Sequence, residues 1–296
     1  MGKYDDAMYS FLSDNGRFAD LFNGAVFGGE KVLQADALVE GAERYAWTGA
    51  SQGKKRKNPK TQDRYRDIKK HLKEGAGFSV VAIENQSDID HSMPWRIMMY
   101  DGLEYERQIR EIENCKRRKL SQKKKKITRW ETRFGQGDKL HPVYTICLYH
   151  GTKPWDGPKS LGDMMDFGAD EKLREALFHD YRMSLVCVED LTELSVFRTD
   201  LRLLLATLGT RGDKEAMKAL YKSKDFTNIS AETARTIAVM TDNTQILKKL
   251  DEQEEEEINM CKAWDEIQQE WEEATVKARE EGLEEGIEKG RKEGKQ

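Results

Sequence analysis

The stretch Phe78-Ser-Val-Val-Ala-Ile-Glu84-Asn-Gln86 decides how the rest of the chain is read. An apolar run of this length, rich in Val and Ile, reads as a buried strand that closes on three polar residues. Side chains alternate along a strand, so Glu84 and Gln86 point to one side while Ile83 and Asn85 point to the other. Upstream, Arg64 to Lys73 also alternates, with Asp67, Lys69 and His71 on one face and Ile68, Lys70 and Leu72 on the other. Gly75-Ala-Gly77 supplies a turn between the two runs, and the whole predicts a β-hairpin.

Working outward, Ser92 suits a helix N-cap and Pro94 the first helical turn. Trp95, Met98, Met99, Leu103, Tyr105, Ile109 and Ile112 then extend a broad apolar face to about residue 113. Val143 to Tyr149 and Met183 to Val188 are near-continuous apolar runs, which imply strands of a sheet covered on both faces. In the N-terminal direction, Phe11, Phe18, Leu21, Phe22 and Val26 recur at helical spacing over residues 6 to 27, with Asp20 on the polar side. Residues from about 190 to 250 read as a helical, bundle-like extension beginning with Leu201, Leu203, Leu204, Leu205 and Leu208. Together these elements predict an α/β domain over residues 1–200, a helical extension over 201–250 and an acidic tail over 251–296.

The tail carries Met260, Trp264, Ile267, Trp271, Ala274 and Ala278 in a short heptad seam. Gly282, Gly286, Gly290 and Gly294 follow at every fourth position, each weakening a helix by about 1 kcal/mol, so the end is expected to fray. The seam fits either a helix packed on the body or one that holds a partner or a second copy.

Composition bounds the class of protein. A chain of 296 residues buries a core without disulfides or structural metal. Cys115, Cys147, Cys187 and Cys261 are scattered with no CxxC pair, which suits a reducing compartment and unreactive thiols. The N-terminus lacks a basic and apolar leader and no stretch approaches a membrane span, so a cytoplasmic protein is expected. The net charge of −4 hides an asymmetry, because residues 251–296 sum to −10 and residues 1–250 to +6. Two basic clusters stand out in the body: Lys54, Lys55, Arg56 and Lys57 in an aperiodic loop, and Lys116, Arg117, Arg118 and Lys119 followed by Lys123, Lys124, Lys125 and Lys126. Like-charge repulsion predicts loop or frayed helix for the second cluster. A cationic body fits a polyanion, since neutralising phosphates releases condensed counterions.

If Asp67 lies at the end of the strand next to Glu84, their carboxylates can share a hard cation such as Mg²⁺, with Mn²⁺ as a substitute. The Asn85 backbone carbonyl is a third oxygen donor, and Gln86 can orient water or hold a phosphate but cannot serve as a base near neutrality. An acid on one strand and an acid-x-amide on its neighbour is the layout of a metal-dependent nuclease. Apolar strands ending in Glu-Asn-Gln are common, however, and spacing alone does not choose between the two readings.

The wider sequence does choose. Arg64-Tyr-Arg-Asp67, Ile83-Glu84-Asn-Gln86-Ser, Met93-Pro94-Trp-Arg96-Ile-Met-Met-Tyr100, Leu140-His-Pro142 through Tyr149-His-Gly151, Trp155-Asp-Gly157-Pro158 and Phe18-Ala-Asp20-Leu-Phe-Asn23 appear in order. Over residues 6 to 200 this series resembles the Rpn family of recombination-promoting nucleases, also called putative transposases. The resemblance implies a PD-(D/E)XK restriction-endonuclease-like core, with a central mixed sheet flanked by helices, and Mg²⁺-dependent cleavage of DNA in recombination. It places the family's catalytic positions on Asp67, Glu84 and Gln86. Gln86 stands where most PD-(D/E)XK enzymes have lysine, a feature that the resembled family shares and that implies modest catalysis.

Asp20 is a possible accessory acid, and a surface acid is the plainer reading. Arg96, in the first turn of the helix after Gln86, is expected to contact DNA phosphate or else to serve structurally on Trp95 or an acid. The lysine clusters would add about five to eight phosphate contacts, or remain solvated loops. The alternative to an endonuclease is a catalytically weak or inactive nuclease-fold protein that binds DNA and assembles through Trp264, Ile267 and Trp271. Transposase chemistry of the three-carboxylate type lacks an evident third acid.

Overall fold

The computed structural model describes residues 3–40, 44–47, 62–65, 68–74, 77–122, 128, 130–169, 171–252 and 256–266, with a few isolated positions beyond. The chain divides into Met1–Thr199 and Asp200–Gln296. The first unit runs α1 (Lys3–Leu12), α2 (Asn15–Phe27), β1 (Leu38–Glu40), β2 (Arg44–Trp47), β3 (Gln62–Tyr65), β4 (Ile68–Glu74), β5 (Gly77–Gln86), α3 (Met93–Gln122), β6 (Val143–Tyr149), α4 (Glu171–Leu177) and β7 (Ser184–Cys187).

Five of these strands form one mixed sheet in the order β1-β4-β5-β6-β7. β4 and β5 are antiparallel, with Ile68 opposite Ile83 and Leu72 opposite Ser79. β5, β6 and β7 are parallel, with Glu84 opposite Cys147 and Cys147 opposite Leu185. A parallel crossover needs a long connection, and α3 provides that between β5 and β6. The expected hairpin is present, but residues 62–74 are not one strand: β3 pairs with β2 in a separate ribbon. The turn at residues 75–76 lies outside the described residues.

Strand alternation sorts the sheet into two faces. Ile68, Leu72, Val81, Ile83, Ile146 and Leu148 are buried on the face toward α1 and α2. Lys70 on that face donates to the Ser13 carbonyl at 2.7 Å and to Asn15 Oδ1 at 2.6 Å, so its charge is held by the helix junction. The single amphipathic helix expected over residues 6–27 is broken there, because Asp14 caps α2 by accepting from the Arg17 amide at 2.9 Å. α2 ends where Gly28 takes a left-handed φ of 60° and returns its amide to the Asn23 carbonyl.

α3 covers the opposite face and extends well past residue 113, for 30 residues in all. Its last turns contain Lys116 to Lys119, which repulsion was expected to unwind. Two effects oppose that: Lys116 pairs with Asp138, and cations at a helix C-terminus are favoured by its dipole. The buried side of α3 also differs from the apolar stripe read in the sequence. Met93, Ile97, Tyr100, Asp101, Glu104 and Gln108 face inward, because the strand face beneath presents polar partners. Thr145 donates to Asp101 at 2.8 Å, and Lys69 donates to Glu104 at 3.1 Å.

The second unit contains α5 (Leu201–Gly209), α6 (Lys214–Tyr221), β8 (Ile229–Ser230), α7 (Ala231–Met240), α8 (Thr244–Glu252) and β9 (Glu257–Ile258). Leu201, Leu203, Leu204, Leu205 and Leu208 are all buried. Residues 260–266 are helical, and Trp264 packs edge-on against Tyr221 with ring centres 5.2 Å apart. Ile267, Trp271, Ala274, Ala278 and the glycines from Gly282 onward lie outside the described residues. All four cysteines are free. Among the described residues no helix is long and apolar enough to cross a membrane.

Candidate active site

The C-terminal end of β5 is the centre of the site because a central strand delivers its last side chains under the start of α3. Glu84 is fully buried on the α3 face, as the alternation of the apolar run requires. Its strand neighbour Cys147 packs with Met93, Ile97 and Met183 into a small apolar cluster. A carboxylate in such surroundings needs compensation. One source is Arg96, whose Nη2 lies 3.8 Å from Glu84 Oε2.

Arg96 makes its shortest bond elsewhere, with Nη1 2.6 Å from Asp90 Oδ2. Asp90 in turn accepts from the Ser92 amide at 2.8 Å and the Ser92 hydroxyl at 2.6 Å, which fixes the approach to α3. Burial works against the charge of Arg96, but Asp90, Tyr100 and Glu84 outweigh it and raise its pKa above the usual guanidinium range. Burial also pushes the Asp90 carboxyl up, while Ser92 and Arg96 bring it to a net value below the ordinary one. One guanidinium thus joins Asp90 to the acid of the site. Nothing in the local sequence pattern singles out Asp90, since its partners are set by the turn into α3.

Gln86 shares the Glu84 face, half-buried, and its amide donates to the Asn85 carbonyl at 2.7 Å. A carbonyl oxygen has two lone pairs, so this bond leaves Asn85 a second acceptor direction. The Gln86 carbonyl accepts from the His150 amide at 3.0 Å, which ties the end of β5 to the end of β6. Beyond it, the Tyr149 hydroxyl donates to the Lys153 carbonyl at 2.7 Å, and the Tyr149 ring meets Trp155 edge-on. The Tyr149-His-Gly151 and Trp155-Asp-Gly157 motifs therefore brace the loop that borders the site.

Asp67 lies outside the described residues. The last described pair at this end of β4 and β5 is Ile68 opposite Ile83, and Asp67 and Glu84 are the next positions in the two chain directions. Also outside are Lys54, Lys55, Arg56 and Lys57, and Lys123 and Lys124. Arg117 and Arg118 are exposed at the end of α3. For Asp20 the surface reading is corrected. The residue is buried on α2, on the other side of the sheet from Glu84, and accepts from the Arg198 amide at 2.9 Å, the Thr199 amide at 2.8 Å and the Thr199 hydroxyl at 2.7 Å. Asn23, from the same N-terminal motif, accepts from the Val32 and Leu33 amides. That motif clamps the fold together.

Lys69 and Glu104, both fully buried, form a second charged group on this face. Glu104 also binds the Arg107 Nε at 3.1 Å. Burial pushes the Glu104 carboxyl up, but Arg107 and Lys69 prevail and hold it at about 2. His71, two positions further along β4, is kept below its ordinary pKa by burial and by the charges of Lys69 and Arg107.

A mixed five-stranded sheet, helices on both faces and an acid-x-amide at the end of a central strand define a PD-(D/E)XK-like α/β core. Residues 62–238 match the family model Transposase_31, described as putative transposase, YhgA-like, and the chain belongs to this Rpn/YhgA family, which associates it with mobile DNA. Searches of curated proteins and of solved structures each return no match.

Glu84, the Asn85 carbonyl and Gln86 offer oxygen only, the donor type that Mg²⁺ and Mn²⁺ take. Among the described residues no three His, Cys, Asp or Glu side chains cluster as a ligand set, so a carboxylate-rich site requires Asp67.

Proposed function

We propose that the chain is a divalent-metal-dependent DNA endonuclease. Asp67, Glu84 and the Asn85 carbonyl would hold Mg²⁺, or Mn²⁺ in its place. The ion would supply Lewis-acid stabilisation of the phosphate and a more acidic bound water. Every other part falls to the chain itself. Glu84 brings a buried negative charge to the end of β5, Gln86 orients water or a phosphate oxygen through its amide, and Arg96 offers a guanidinium to the scissile phosphate while Asp90 holds it in place. The observation that carries the reading is the fully buried Glu84 carboxylate on the same face as Gln86, beside a guanidinium.

The test is nicking of supercoiled plasmid in Mg²⁺, in EDTA and with Asp67→Ala or Glu84→Ala. Cleavage by wild type in Mg²⁺ alone, lost in EDTA and in either variant, is the expected result. Equal cleavage by wild type and the double variant refutes the site. A non-catalytic DNA-binding reading has one observation in its favour, the internal ion pair between Glu84 and Arg96. It predicts no metal-induced rise in thermal midpoint, or a rise unchanged by Glu84→Gln.

A further inference from the structure

Residues 116–139 hold eleven basic residues and two acids, and in the middle of them an indole stands in solvent. Trp130 is 78% exposed, whereas an indole that merely fills a core is covered. Arg133 lies over its ring with the guanidinium carbon 5.0 Å from the centre, a cation–π arrangement that also limits the motion of the indole. Phe134, next in sequence, is 37% exposed.

Residues 133–138 are tied to α3. Lys116 on α3 donates to the Arg133 carbonyl at 3.0 Å and pairs with Asp138. The Phe134 amide donates to Glu113 on the same helix at 3.2 Å, and the Gly135 amide to Asp138 at 2.7 Å. Both acids of the segment are engaged internally, since Glu131 accepts from the Thr128 amide at 2.8 Å. Arg117, Arg118 and Lys119 remain exposed on the last turns of α3.

A fixed, exposed aromatic among cations matches one polymer chemically. Phosphates of a nucleic acid meet the basic side chains, and an unpaired base stacks on the indole. Duplex DNA satisfies only the first, because its bases already stack on each other. An acidic protein segment would meet the charges but has no comparable use for the ring. From this arrangement we infer that Trp130 and Arg133 form a stacking platform for unpaired nucleotides, so that single-stranded or locally opened nucleic acid is preferred over duplex. The inference takes its class of ligand from the DNA-binding part of the proposed function and is independent of the metal site.

The test measures fluorescence anisotropy of the full chain with labelled oligothymidine of about 12 nucleotides and with a hairpin duplex, in EDTA and at fixed salt. Wild type is expected to bind the single strand more tightly. Trp130→Ala should weaken that binding by about five- to a hundredfold and change duplex binding less than about twofold, while Trp130→Phe restores most of the loss. Arg117→Ala/Arg118→Ala should instead lower both affinities and flatten the salt dependence. Unchanged oligothymidine binding in Trp130→Ala overturns the inference and leaves the patch to an acidic protein. An equal loss on both nucleic acids overturns it too, because stacking distinguishes them. The binding is measured in EDTA, where no cleavage is expected, so failure of the nuclease reading in the plasmid assay leaves this measurement intact.

Discussion

Glu84 at the end of β5 and Glu104 on α3 both have fully buried carboxylates between the sheet and the helix, yet the fold treats them differently. Glu104 is bonded to Lys69 at 3.1 Å and to Arg107 from the same α3 surface. Glu84 faces Arg96 at 3.8 Å, and that arginine gives its 2.6 Å contact to Asp90. Burial alone therefore does not distinguish the acid proposed to bind metal from a structural one. A carboxylate bonded closely by two cations of its own fold is a structural charge. At Glu84 the guanidinium of Arg96 is shared with a second acid, Asp90.

The largest effect expected from this contrast is on stability. Glu104→Ala removes the carboxylate that the buried Lys69 bonds at 3.1 Å, and breaking a buried pair typically costs about 3–5 kcal/mol. A urea titration should show it as a lower midpoint at an unchanged slope. Glu84→Gln preserves shape and is expected to stay within about 1 kcal/mol of wild type, while plasmid nicking falls by about a hundredfold or more. If instead Glu84→Gln unfolds the protein and Glu104→Ala leaves it intact, the roles assigned to the two acids are reversed.

pH acts on Glu104 and on His71 in different ranges. With its pKa depressed to about 2 from an ordinary 4.5, Glu104 contributes stability that is fully present above 4.5 and is lost as pH falls toward 2. His71 acts earlier in the same direction. Its pKa is depressed from 6.5, so the native state disfavours the proton and stability begins to fall as pH drops below 6.5. An acid titration followed by circular dichroism should show a steeper loss below pH 4.5 in wild type than in a Glu104→Gln variant. Equal slopes would mean that the ion pair does not govern acid unfolding.

Residues with local determinants were legible in the sequence, and those with distant partners were not. The runs ending at Gln86 and Tyr149 read as buried strands because an apolar run bounded by turns has few alternatives. Parity within β5 likewise put Glu84 and Gln86 on one side. Asp20 was misread because its partners, Arg198 and Thr199, are 178 and 179 positions away. The length of α3 was underestimated for a similar reason, since Asp138 answers Lys116 from 22 positions on. Its polar inward side, with Asp101, Glu104 and Gln108, makes sense only once Lys69 and Thr145 are seen beneath it. A smaller effect tests the reassigned acid. Asp20→Ala removes the acceptor of the part-buried amides at 198 and 199 and should cost about 1–3 kcal/mol, with nicking by the folded protein unchanged. Loss of nicking without loss of stability would return Asp20 to the site.

The smallest effect, and the one that most sharpens the contrast, concerns Arg96. A guanidinium 3.8 Å from Glu84 favours the ionised acid but also competes with any cation for its oxygens. Arg96→Met removes the competitor together with a phosphate donor, so binding and turnover should move in opposite directions. A Mn²⁺ titration read by thermal midpoint is expected to saturate at several-fold lower concentration, while nicking at saturating Mn²⁺ slows by about tenfold. Arg96→Lys should recover little of the rate, because a single ammonium cannot span Asp90 and Glu84 as a planar fork does. Weaker Mn²⁺ binding in Arg96→Met would show that the arginine positions Glu84 for the ion, and the idea of an exchangeable counterion would fall while the nuclease reading stood.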